Sequence, residues 1–267
     1  MIYNSYITLG DIMDIGSIVI RKKYNGDIIF KILNINNNIA LLSGVFIRII
    51  ADAPISDLNE VLNSEFEKNS LEEINYKNRI VEQYKGKIDH ITGKILHYDS
   101  DNEYLNKCLD LYKSIGIYAN GILSKEEFIK DRVLKDINKY RPNIIIITGH
   151  DSFNGKDKKD LNNYKNSIHF MNSVLKIREK YSLDDIYVFA GACSSNLEAI
   201  IASGANSASS INREKIEAYD PALVAILAAI TPINQIIDIL SISRVSKIKK
   251  VNIGGVESYG KMRLLVR

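Results

Sequence analysis

Two residues with reactive side chains each follow an apolar segment of the chain. His150 follows the isoleucine-rich run 143–148, and Cys193 follows the run 186–190. Short continuous apolar runs of this kind are typical of strands buried on both faces of a parallel sheet. A histidine beside a cysteine can stabilise the thiolate, which is the nucleophilic form, and can protonate a leaving amine. If the two strands are neighbours, these side chains form a catalytic dyad.

The segment between the two runs favours that arrangement. Residues 164–180 have a helical pattern, so the two runs and this helix form a βαβ unit whose strands are parallel. Both strands then end at the same edge of the sheet, where open α/β folds place their sites. Backbone N–H groups at the start of the helix after Cys193 favour a thiolate and are candidates for an oxyanion hole.

Other kinds of site explain the presence of His150 and Cys193 less well than a catalytic dyad does. A lone cysteine after a buried strand is usually a small core residue, and a lone histidine at a strand end usually lies on the surface, so neither Cys193 nor His150 alone would indicate a catalytic site. One cysteine and one histidine lack the further ligands of a zinc site. The segment after Gly191 lacks the lysine and the glycine spacing of a phosphate loop, and Ala199 stands where a cysteine phosphatase needs an arginine. We therefore expect no metal and no cofactor.

Polar residues at other strand ends are further candidates for the site. Asp99 and Asp101 follow the first predicted strand of the sheet, Lys94–Tyr98, and open to the same edge as the dyad. Two interpretations stay open for them, a helix cap for the helix that ends at Gly116 or a negatively charged pocket for a basic substrate side chain. Ser209 and Ser210 are candidates for lining the cleft at this edge of the sheet. The remaining histidines and the second cysteine are predicted to be structural: His90, His97, His169 and Cys108.

Composition and charge exclude several classes of protein. The 267 residues are 46% hydrophobic and 25% charged, which is ordinary for a globular protein. A net charge of +3 with dispersed basic residues does not predict nucleic-acid binding. The first residues lack the features of a secretory signal, and the longest apolar stretch, 221–230, is too short to span a bilayer. Two cysteines exclude a disulfide framework, so we expect a cytoplasmic protein without a membrane partner.

The pattern of elements divides the chain into three segments. Residues 1–55 carry short β-rich runs separated by Asn-rich turns, which predicts a small all-β SH3-like barrel. Those runs are 17–21, 28–33, 39–43 and 46–50. Residues 56–87 are charged and helix-prone, which predicts a helical linker. The alternative is a cleavable segment with Arg79 as its exposed basic position. Residues 88–267 alternate strands and helices, one helix opening with a capping box at Ser124–Glu127, and predict a three-layer α/β domain with a mainly parallel sheet.

The sequence also resembles a known group of peptidases. An apolar strand ending in histidine, paired with one ending in Ala-Cys, is similar to the caspase, legumain and clostripain class of cysteine peptidases. More narrowly, the chain resembles the YabG family of sporulation-specific peptidases, and this resemblance covers nearly its whole length. Five stretches carry it: residues 16–24, 94–101, 140–151, 189–195 and 204–210.

The resemblance implies a fold, an activity and roles for the dyad. It implies a caspase-like α/β domain and a cysteine endopeptidase that processes spore coat or cortex-associated proteins, in the sporulating cell or on the spore. It makes Cys193 the nucleophile and His150 its partner. In the wider class a glycine usually follows the histidine, and its N–H joins the oxyanion hole. Here Asp151 holds that position, so the backbone N–H groups of Asp151 and Cys193 are the candidates.

The resemblance also implies a specificity. In that class the loop after the first strand often forms the specificity pocket, which supports Asp99 or Asp101 as substrate-binding residues. Cleavage after Arg or Lys follows as a prediction, together with self-processing in the linker near Arg79. The alternative function is a non-catalytic scaffold that recruits spore proteins through its N-terminal barrel. Acyl transfer to a small molecule is a third hypothesis, for which the sequence locates no pocket.

Overall fold

A computed structural model of the chain describes residues 13–86, 90–209, 217–244 and 253–265. The protein is mixed α/β and divides into two compact units, residues 1–70 and 71–267, each with its own sheet. Helix α1, Asn63–Tyr84, begins in the first unit and ends in the second. The predicted division at residues 55 and 87 stays a prediction.

The first unit contains a five-stranded antiparallel sheet of order β4-β3-β2-β1-β5. Its strands are β1 (Ile18–Arg21), β2 (Ile29–Asn36), β3 (Ile39–Gly44), β4 (Ile50–Pro54) and β5 (Leu58–Glu60). One face of this sheet buries a small apolar core that includes Val19, Phe30, Ile32, Leu42 and Leu58. Alternation of apolar and polar residues along the strands produces that single buried face.

Two turns of this sheet show how local sequence sets the strand ends. Asn37 and Asn38 join β2 to β3 with φ of 48° and 61°, a left-handed conformation that asparagine tolerates, and they confirm the predicted turn. The predicted strand at 46–50 is displaced, because β4 begins only at Ile50. A side chain at Gly44 would overlap the carbonyl oxygen of Ile47, so the chain turns tightly here before it can extend.

The second unit is built on a six-stranded sheet of order β11-β10-β9-β8-β6-β7. All neighbouring strands are parallel except β11, which is antiparallel to β10. The strands are β6 (Ile95–Asp99), β7 (Ala119–Leu123), β8 (Ile144–Ile147), β9 (Tyr187–Ala190), β10 (Ser207–Ser209) and β11 (Ile253–Gly255). The predicted mainly parallel sheet is confirmed, as is the pairing of the two apolar runs as neighbours.

Helices cover both faces of this sheet. They are α2 (Asn102–Ile115), α3 (Glu126–Tyr140), α4 (Ser167–Arg178), α5 (Leu197–Ala202) and α6 (Asp220–Ile230). Side chains of β8 alternate between two cores: Ile144 and Ile146 pack with α1, α2 and α6, whereas Ile145 and Ile147 pack with α3, α4 and α5. The apolar stretch 221–230 lies within α6, where residues 220–229 are all buried.

Candidate active site

The ends of three neighbouring parallel strands bring the predicted dyad to one edge of the sheet. One row of paired residues crosses β6, β8 and β9: Tyr98, Ile147 and Ala190. Asp101, His150 and Cys193 each stand three residues beyond that row. Because parallel strands end at a common edge and neighbours lie about 5 Å apart, this register brings the three loops that carry these residues to the same edge of the sheet.

His150 has an acidic partner on the neighbouring strand end. Its Nε2 lies 3.4 Å from Oδ2 of Asp101, and the two side chains are 21% and 18% exposed. Burial by itself raises the pKa of Asp101, but the hydrogen bond to His150 and the N–H groups of Tyr104 and Glu103 outweigh it. The pKa of Asp101 therefore lies below its ordinary value of 3.8, so an ionised carboxylate stands beside the imidazole at neutral pH.

Asp101 is also the N-cap of α2. Its Oδ1 accepts hydrogen bonds from the backbone N–H groups of Glu103 at 2.8 Å and Tyr104 at 3.2 Å. Of the two aspartates for which a helix cap was one interpretation, Asp99 and Asp101, the cap is Asp101. The cap holds this side chain in one position, because the backbone of the helix start fixes one oxygen and leaves the other directed at His150.

Cys193 lies half-buried in a tight turn between β9 and α5. The N–H of Ser195 donates to the carbonyl oxygen of Ala192 at 3.2 Å, and the N–H of Ala192 donates back to Oγ of Ser195 at 2.9 Å. Ser194 adopts φ of 67°, a left-handed conformation that costs a residue other than glycine about 1–2 kcal/mol. Strain of this kind persists only where the surrounding structure imposes it.

Ser209 on β10 braces the same turn. Its Oγ donates to the carbonyl oxygen of Ala192 at 3.0 Å, and the side chain is 1% exposed. A Cβ on Gly191, whose φ is 118°, would lie 2.8 Å from this Oγ, so the position requires glycine. Ser209 therefore supports the turn and is not exposed in a cleft. Ser210 lies outside the described residues.

Glu126 holds the loop that carries His150. Its Oε1 accepts from the backbone N–H of His150 at 2.7 Å and from Oγ of Ser100 at 2.6 Å, and the residue is buried. A Cβ on Gly149 would overlap this carboxylate oxygen and lie 2.7 Å from Oγ of Ser100. The loop can therefore pass close to Glu126 only because glycine stands at that position.

Sequence reasoning missed Glu126 because it assigned the start of α3 to a capping box at Ser124–Glu127. That assignment is wrong. The helix begins at Glu126 with Lys125 as N-cap, which makes no side-chain capping bond, and Oγ of Ser124 donates to the carbonyl oxygen of Lys125. Two adjacent glutamates at a helix start were the available signal, but the pattern does not show which of them turns inward.

Comparison with known proteins identifies the family. The family model described as YabG peptidase U57 matches residues 14–267. The chain is 35% identical over 280 residues to the sporulation-specific protease YabG of Bacillus subtilis (strain 168), covering 94% of this chain and 96% of that relative. The chain belongs to the YabG peptidase family. No solved structure matches it.

Membership of the YabG family confirms the resemblance found in the sequence and makes the protein a peptidase, a hydrolase of peptide bonds. A protein that only recruits partners is thereby disfavoured. In the described part of the chain, no helix is long and apolar enough to cross a membrane. The same residues contain no group of three or more His, Cys, Asp or Glu side chains that could hold a metal ion.

The two aspartates predicted to bind substrate occupy different environments in this YabG-family peptidase. Asp99 is fully buried; its Oδ2 accepts from Oγ1 of Thr148 at 2.7 Å, and its Oδ1 accepts from the N–H of Asp101 at 2.9 Å. The imidazole of His97, also buried, joins this network through Thr148 and Tyr112. Asp99 thus braces the ends of β6 and β8, and Asp101 is the one of the pair whose side chain is partly exposed, at 18%.

Proposed function

We propose that this YabG-family protein is a cysteine endopeptidase in which Cys193 is the nucleophile and His150 the general acid and base. The row of Asp101, His150 and Cys193 at the ends of three parallel strands is the observation that carries the proposal. The α/β domain has a caspase-like fold, and residues 1–55 form an SH3-like module.

The reaction proceeds in two acyl-transfer steps. The Cys193 thiolate attacks the carbonyl carbon of the scissile peptide, a C–S bond forms, and the carbonyl oxygen becomes an oxyanion. The C–N bond then breaks as His150 donates a proton to the leaving nitrogen. A water molecule gives its proton to His150 and attacks the thioester. The C–S bond breaks, and the acid product and the thiolate are released.

Asp101 is a positioning residue in this proposal. Its ionised Oδ2, 3.4 Å from Nε2 of His150, orients the imidazole and stabilises the imidazolium that forms during each proton transfer. Because the N-cap of α2 holds the aspartate in place, the histidine meets a partner whose geometry is set before the substrate binds.

The oxyanion hole is assigned to the backbone N–H groups of Asp151 and Cys193. The N–H groups that flank Asp151 are engaged, since His150 donates to Glu126 and Ser152 donates to the Asp151 carboxylate. The N–H of Asp151 donates to no acceptor among the described residues. This supports its assignment as a donor to the developing oxyanion, where one such bond typically contributes about 10²–10³-fold in kcat.

Cleavage after Arg or Lys is proposed on the acidic character of the loop after β6. Of the two candidates, Asp101 has the partly exposed side chain, while Asp99 is fully buried and is bound by Thr148 and by the Asp101 backbone. The substrates are proteins of the developing spore coat or cortex, by analogy with the sporulation-specific relative, and the enzyme works in the sporulating cell or on the spore. Self-processing near Arg79 is part of the same proposal.

Product analysis by mass spectrometry tests the nucleophile and the specificity together. Wild type, Cys193→Ala and Cys108→Ala are each incubated with a peptide library; Cys108 is the matched control, because it is buried in α2 away from the sheet edge. We expect cleavage after Arg or Lys by wild type and Cys108→Ala, and none by Cys193→Ala. Cleavage by Cys193→Ala would remove the nucleophile assignment, and equal cleavage after neutral residues would remove the acidic pocket.

A further inference from the structure

The side chain of Asp151 lies between the loop of His150 and the turn of Cys193. Its Oδ2 accepts from the hydroxyl of Ser195 at 2.9 Å and from the hydroxyl of Ser167, at the start of α4, at 2.6 Å. Its Oδ1 accepts from the backbone N–H groups of Asn166 at 2.7 Å and Ser152 at 2.8 Å. One carboxylate therefore ties together three segments that are distant in sequence.

Both serine hydroxyls also bind the backbone of the turn that carries Cys193. Oγ of Ser195 accepts the N–H of Ala192 at 2.9 Å, and Oγ of Ser167 accepts the N–H of Asn196 at 2.9 Å. Residues 192 and 196 are the two ends of the turn, and both serines are fully buried. The strained Ser194 lies between these two anchored positions.

The directions of these bonds are determined by chemistry. A backbone N–H can only donate, so each serine oxygen accepts from the turn, and its single proton must be donated elsewhere. Both protons go to Oδ2 of Asp151, while Oδ1 faces two further N–H donors. Four donors thus meet at one side chain, and only a carboxylate offers acceptors on both atoms. An asparagine in either orientation would direct its NH₂ group at two donors.

We propose that Asp151 is a positioning residue for catalysis, whose carboxylate holds the turn that carries Cys193 in register with the loop that carries His150. The inference rests on the proposed roles of those two residues. It gives a reason for an aspartate after the histidine, where the wider class of cysteine peptidases usually has glycine. The backbone N–H serves the oxyanion, and the side chain fixes the spacing of the reacting groups.

Steady-state kinetics on folded variants test the proposal. Asp151→Asn retains the backbone N–H and the size of the side chain, and we expect kcat to fall about a hundredfold, since a displacement of about 1 Å costs that much. KM should change less than threefold, because the substrate-binding surface is unaltered. Ser195→Ala, which removes one of the two hydroxyl contacts, should lower kcat about tenfold, and the double variant should be no worse than Asp151→Asn alone.

A second buried carboxylate provides the control. Asp136 on α3 accepts from the hydroxyl of Tyr98 at 2.9 Å and from Nε of Arg132 at 2.7 Å, so Asp136→Asn disturbs a comparable network away from the turn. We expect Asp136→Asn to lower the melting temperature but not kcat. A wild-type kcat in Asp151→Asn, or fully additive losses in the double variant, would overturn the proposal.

The outcomes separate this inference from the proposed function. If Cys193→Ala retains activity, the cysteine mechanism fails whatever Asp151 does. If Cys193→Ala is inactive while Asp151→Asn has normal kcat, only the positioning role fails. Where Asp151→Asn does not fold, as judged by circular dichroism, the smaller change Ser195→Ala decides alone, and an unchanged kcat in that variant overturns the proposal.

Discussion

Asp101 combines two functions at the scale of a single residue. One oxygen caps α2 and the other faces His150, so the same carboxylate stabilises a helix and, in the proposed mechanism, orients the imidazole. The two functions can be separated by substitution. Serine is a good N-cap but is too short to reach His150, whereas alanine fulfils neither function.

Asp101→Ser and Asp101→Ala are both expected to lower kcat about ten- to hundredfold, because a hydrogen bond to a charged group contributes about 1.5–3 kcal/mol. Only the alanine variant should also lose about 1 kcal/mol of unfolding free energy from the missing cap. Kinetics and urea titration of the two variants measure both quantities. If Asp101 also selects the substrate, Asp101→Ser would reduce cleavage after Arg or Lys more than cleavage after neutral residues.

The lowered pKa of Asp101 gives this prediction a pH dependence. A carboxyl group whose pKa is lower in the folded chain contributes stability above its ordinary pKa of 3.8, and that contribution is lost as the pH falls through the folded-state pKa. The stability difference between wild type and Asp101→Ser should therefore be lost as the pH falls below about 4. A difference that stayed unchanged at strongly acidic pH would contradict the assigned contact.

At the scale of elements, helix α1 bears on the proposed self-processing. Arg79 is exposed, but Tyr76 and Ile80 beside it are fully buried in the core of the second unit. A peptidase binds its substrate in an extended conformation, so the bond after Arg79 becomes accessible only when this part of the helix unwinds. The proposed self-cleavage there would be limited by local unfolding.

We therefore expect slow nicking after Arg79 in the wild type and faster nicking in Ile80→Ala, because that change removes buried apolar contacts and favours local opening. Gel electrophoresis with mass analysis of long incubations measures the rate and the site. Ile80→Ala combined with Cys193→Ala controls for outside proteases. The prediction fails if Arg79→Gln is nicked at the same position and rate as the wild type.

At the scale of the whole molecule, the position of α1 decides where the chain can be divided. The chain passes from the first compact unit to the second between residues 70 and 71, within this helix. The side chains of Tyr76, Ile80 and Tyr84 belong to the core of the second unit. A useful boundary for separating the two units therefore lies before Asn63, where α1 begins.

A chain lacking residues 1–61 should remain folded and retain peptide cleavage, whereas one lacking residues 1–84 should unfold. The longer deletion removes three buried side chains, each of which contributes about 1.5–3 kcal/mol, a total comparable with the stability of a typical domain. Circular dichroism and peptide cleavage distinguish the two chains. Retained activity in the longer deletion would show that α1 is dispensable to the core.

The amino-acid sequence by itself determined the parallel sheet and the placement of the His150 and Cys193 loops at one edge of it. Uninterrupted β-branched runs separated by a helix have few alternative arrangements, and parallel strands necessarily end at one edge. The caps at Asp101 and Gly116 were also predictable, because local backbone geometry selects those residue types.

Only the tertiary structure decided the supporting contacts of the site. It showed that Asp101 faces His150 while Asp99 is buried, that Glu126 rather than Glu127 turns inward, and that Asp151 receives four hydrogen bonds. These contacts join loops whose residues are far apart in sequence. In addition, two adjacent residues of a turn can direct their side chains to opposite sides. Periodicity and residue type do not encode such directions, which follow from how the strands and helices pack together.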